Sequence, residues 1–127
     1  MGLNMDYVWR SRRQKLAIEL EGLGCVPVEG GLFSDWLWRC KWCGLTVYVL
    51  VPRPWPKPRG VNEPTPIHYF LLESEAPSCW QHRIPGEKII QGERAFGLCV
   101  YIPPDFEPRA LRERFRRRLC EVCRICC

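Results

Sequence analysis

The sequence predicts an α+β fold: one small domain in which a short antiparallel sheet of about three strands lies with an N-terminal and a C-terminal helix. Three observations predict it. Apolar and polar residues alternate before the turn near Cys43 and a Val-, Thr- and Tyr-rich run follows it, apolar residues recur at helical spacing towards both ends, and 127 residues suffice for one core but not for two. With 46% hydrophobic and 12% aromatic residues, the chain has the apolar surface that disordered chains lack.

Residues 5–21 read as the first helix, with Asn4 or Asp6 as its cap, Trp9, Leu16 and Leu20 near one face, and Gly22 as its stop. Gly24, Gly30 and Gly31 then turn the chain into residues 32–39, where Leu37 and Trp38 sit in an alternating run that suits a strand. Residues 45–51, rich in Val, Thr and Tyr, give the second strand, and Cys40-Lys41-Trp42-Cys43 becomes the turn of the hairpin. Pro52, Pro54, Pro56, Pro58, Pro64 and Pro66 remove backbone donors, so 52–66 reads as an extended loop. Residues 68–76 suit a short helix or strand, and 97–102 a third strand stopped by Pro103. The last segment is the plainest helix, because Pro108 fits a first turn and Leu111, Phe115, Leu119, Val122 and Cys126 recur every three or four residues. The chain thus divides into a globular part, 1–104, and an arginine- and cysteine-rich helix, 105–127, packed on it or extending from it.

The nine cysteines are an odd number and cannot all pair with one another. The N-terminal residues run into Arg10, Arg12 and Arg13 without the apolar stretch of a secretory signal, and no apolar run is long enough to span a membrane. These features predict the nucleus or the cytoplasm, where thiols stay reduced and metal-spaced cysteines more often bind metal than form disulfides. A structural zinc ion takes four Cys or His ligands, and a CxxC turn supplies two of them. Cys40 and Cys43 have that spacing, and Cys79 and His82 repeat it, so Cys40, Cys43, Cys79 and His82 are the expected Zn2+ ligands. His68, between the two pairs, is the alternative fourth ligand. Cys120 and Cys123 form a second candidate metal pair, completed by Cys25, Cys99 or a second subunit. The competing reading makes these cysteines ordinary buried thiols.

Gly22 to Cys79 resembles a divergent baculoviral inhibitor-of-apoptosis repeat, with a Gly-containing turn, Asp35 before an aromatic strand, Cys40-x-x-Cys43-Gly44, then His68 and Pro77-Ser78-Cys79. That resemblance implies a short three-stranded sheet around one Cys3His zinc site and a surface groove for peptides or caspases. Both gaps around His68 exceed the family's usual lengths, and its N-terminal arginine motif has no clear match. In ligand style the chain is also similar to small viral accessory zinc proteins such as the papillomavirus early oncoproteins.

No GxSxG, HExxH or phosphate-binding glycine loop is present, and both histidines are candidate ligands, so the sequence predicts no enzyme. Trp55, between Pro54 and Pro56, suits an exposed anchor for a protein partner. Arg116, Arg117 and Arg118 head a basic face of the last helix. The expected function is therefore a zinc-binding protein-interaction module, a regulatory or viral accessory adaptor that docks on a host protein. The alternative is a nucleic-acid-binding regulator that uses the zinc knuckle and the arginine-rich helix. Cys126-Cys127 is also similar to the double-cysteine end of prenylated small GTPases, which makes lipidation a further option.

Overall fold

The computed structural model describes residues 14–28, 35–52, 65–83, 86–102 and 110–127. In chain order these form α1 over residues 14–22, β1 (Val26–Pro27), β2 (Asp35–Trp42), β3 (Leu45–Pro52), β4 (Thr65–Leu72), α2 (Ser78–Arg83), β5 (Gly86–Ile90), β6 (Glu93–Ile102) and α3 (Ala110–Cys123). The strands make one antiparallel sheet in the order β1-β2-β3-β4-β6-β5. The three-stranded sheet around a zinc site is therefore corrected to six strands with three helices.

The sheet has two tight hairpins, of which the β2–β3 one is that expected at the CxxC turn and the β5–β6 one adds a strand. Cys43 (φ 56°) and Gly44 (φ 72°) join β2 to β3, and Gln91 (φ 50°) and Gly92 (φ 79°) join β5 to β6. In two-residue loops, positive φ at both positions gives a twist that matches the flanking strands. The segment 68–76, which suits helix or strand equally by sequence, is strand up to Leu72 because β3 and β6 pair with it on both sides.

Side chains alternate across a sheet, and here both faces are apolar. On one face lie Trp38, Cys40, Val47, Val49, Ile67, Tyr69, Leu71 and Phe96, and all three helices close over them through Leu16, Leu20, Trp80, Leu111, Phe115 and Leu119. Phe115 is the hub, with ring centroids 5.9 Å from Trp42, 5.8 Å from Tyr69 and 5.8 Å from Trp80. Two of the polar tips buried here donate to backbone carbonyls, as buried polar groups generally do. Tyr69 donates its hydroxyl to the Leu111 carbonyl at 2.8 Å, and Trp80 Nε1 donates to the Phe96 carbonyl at 2.7 Å. The other face carries Leu37, Tyr48, Leu50, Phe70, Ile90 and Ala95.

Register sets the feature that matters most for function. β4 pairs with β6 along Ala95–Ile102, whereas β5 reaches only from Glu93 to Gly97. Beyond Gly97, β6 has β4 on one side and, among the described residues, no strand on the other. Gly97 itself is fixed by packing, since a Cβ there would collide with the Tyr69 carbonyl and the Phe70 ring.

Candidate functional site

Eight cysteines are joined in four disulfides: Cys25–Cys40, Cys43–Cys127, Cys79–Cys123 and Cys120–Cys126. This overturns the zinc expectation. The CxxC thiols meet different partners: Cys40, buried in β2 beside Trp38 and Trp42, bonds to Cys25 just after α1, whereas Cys43, in the turn and packed against the edge of the same core, bonds to Cys127. Cys79 does not open a knuckle with His82; both stand in α2, and Cys79 bonds to Cys123 of α3. His68 lies on β4, opposite Leu50 on one side and Cys99 on the other, with its ring stacked 6.0 Å from Phe70. The second candidate pair is likewise separated, Cys120 going to Cys126 and Cys123 to Cys79. Among the described residues no cluster of three or more His, Cys, Asp or Glu is arranged to hold a metal ion. Trp55 and the side chain of His82 lie outside the described residues.

The site that the structure does assemble is a groove of about 970 Å³ at the open half of β6. Leu98, Cys99 and Val100 form its edge, with Leu50, His68 and Phe70 on one side and Arg114, Arg117, Arg118 and Glu121 of α3 on the other. Helical spacing explains the second wall. Leu111, Phe115 and Leu119 face the sheet, so Arg114 and Arg118, each three residues beyond a buried one, come out along the flank of α3. Cys99, the cysteine without a disulfide, is exposed in this groove, and burial pushes its thiol pKa up.

Charge in the groove is unevenly neutralised. Arg118 pairs with Glu121 at 3.3 Å, and Glu87, another lining residue, is paired with Arg94 at 3.0 Å, whose hydrogen bond and positive charge hold its carboxyl below the ordinary range. Arg114 and Arg117 have no ion-pair partner among the described residues. Arg116 points elsewhere: it pairs with Glu113 at 2.8 Å and donates to the Cys127 carbonyl. The run Arg116-Arg117-Arg118 is therefore not one surface, since its first member clips the C-terminal residues while the other two line the groove.

No family model, curated protein or solved structure matches the chain. The groove is read from its own geometry. Arg114, Leu98 and Val100 escape a sequence reading that singles out the triple arginine.

Proposed function

We propose that this chain is a non-enzymatic protein-interaction module that receives an extended segment of a partner protein on the open half of β6. The observation that carries the reading is the strand edge at Leu98–Ile102, unpaired among the described residues, whose first three residues, Leu98, Cys99 and Val100, line the groove. An unpaired edge presents N–H and C=O groups to which an extended peptide can add as a further strand. Exposed Cys99 and Tyr101 leave that half of the strand accessible. The scaffold is held by four disulfides, which goes with an oxidising location, where such bonds persist.

The test is selection of peptides from a displayed library on the oxidised protein, followed by remaking each binder with single backbone N-methyl groups. Along an added strand, every second N–H points to β6. Methylation at alternate positions is expected to cost about tenfold or more in affinity, with the positions between them unaffected. A flat response, or selection of no peptide while single-stranded RNA binds with steep salt dependence, would overturn the reading and favour the nucleic-acid alternative.

A further inference from the structure

Resting on that reading of β6, we infer that the segment bound there alternates acidic with apolar residues. An added strand sends successive side chains to opposite faces of the sheet. The two faces of this groove differ in chemistry. On the α3 side stand Arg114 and Arg117, without ion-pair partners among the described residues, and Arg118, shared with Glu121. On the other side stand Leu50, His68 and Phe70, with Lys88 of β5, the register partner of Ala95, on the same face towards the paired end of β6.

A carboxylate on the α3 side gains charge-assisted hydrogen bonds, and Arg can bind it through two parallel ones. An apolar or aromatic side chain on the other side is buried against Leu50 and Phe70. Reversing the pattern puts carboxylates over Leu50 and Phe70, where they lose water to apolar surface. An unbroken acidic run has the same defect at every second residue, which makes alternation, and not net negative charge, the recognised feature.

Cys99 reads occupancy directly, because it is an exposed thiol in the groove and the other cysteines are in disulfides. We would measure its alkylation rate by iodoacetamide in mildly alkaline buffer, with three short synthetic peptides present. One alternates Glu with Val or Phe, one has the same composition with all Glu in a block, and one alternates Lys with Val or Phe. The alternating acidic peptide is expected to slow alkylation and to bind about tenfold or more tightly than its block isomer, and the Lys peptide to leave the rate unchanged. Arg114→Gln with Arg117→Gln should remove that advantage, while Arg112→Gln, an exposed position on α3 outside the groove, should not. Equal binding of the block isomer, or equal loss with Arg112→Gln, would overturn the alternation. If the block isomer still shows the N-methyl periodicity, the edge reading stands without it. If no peptide slows alkylation and the N-methyl response is flat, both fall, and protection of Cys99 by single-stranded RNA would give the groove to nucleic acid.

Discussion

The two ends of β6 and their surroundings are built on opposite terms. At the start of the strand, Glu93–Gly97 is paired on both sides, with Arg94 bridging Glu87 and Glu73. Nearby, α2 and α3 are joined by Cys79–Cys123, and the β2–β3 turn is tied to Cys127. At the other end, Leu98–Ile102 is paired on one side among the described residues, and its cysteine has no disulfide. The cross-links thus hold the helices over the sheet while one strand edge stays available. Position, and not residue type, decides what a cysteine does here.

The sharpest way to break this comparison is to cut a cross-link and, separately, to alter the lone thiol. Cys43→Ala with Cys127→Ala opens a loop of 84 residues and is expected to cost about 4.5 kcal/mol from loop entropy, read as a lowered denaturation midpoint with a steeper slope, since the released unfolded chain exposes more surface. Cys99→Ala should stay within about 0.5 kcal/mol of the parent, as an exposed position away from cross-links does. Similar losses from both would dissolve the distinction. The boundary between the two ends of β6 can be probed at Gly97, where any Cβ meets the Tyr69 carbonyl and the Phe70 ring. Gly97→Val should cost about 2 kcal/mol by overpacking and should disturb the amide signals of β4 more than those of β3.

A smaller, pH-dependent effect sharpens the contrast between the helix-covered face and the groove. Burial raises the Tyr69 pKa far above its ordinary value, so the hydroxyl remains a donor to Leu111 while the unfolded chain ionises. Stability from this group is complete below about pH 10 and falls above it, by up to about 1.4 kcal/mol per pH unit. Thermal unfolding across alkaline pH should show that slope, and Tyr69→Phe should remove it at the cost of leaving the Leu111 carbonyl without its donor.

The sequence made some of this legible. The spacing of Leu111, Phe115 and Leu119 showed the buried stripe of α3, and Leu16 and Leu20 that of α1, because helical periodicity depends only on neighbours along the chain. The end of α3 was less visible: Arg124 takes a positive φ of 57° and its amide bonds to the Cys120 carbonyl, a stop usually marked by glycine. Strand pairing was not legible either. Gly86–Ile90 became a strand because Gln91-Gly92 folds it back on β6, and that pair is a weaker turn signal than Asn-Gly. The cysteines misled for a related reason. CxxC spacing speaks of metal only if both thiols share one point, and here Cys40 is taken by Cys25 and Cys43 by Cys127, a partner 84 residues away. The groove brings together residues from β3, β4, β5, β6 and α3, a juxtaposition set by topology and not by any local pattern.

The central claim, that β6 carries an open edge, is tested most directly by native-state amide hydrogen exchange resolved along that strand. The account predicts protection throughout the doubly paired residues up to Gly97, and from Leu98 to Ile102 an alternation in which amides directed at β4 are slow and those between them exchange far faster. Uniformly slow exchange across Leu98–Ile102 would mean that the edge is covered in the free protein and would contradict the account.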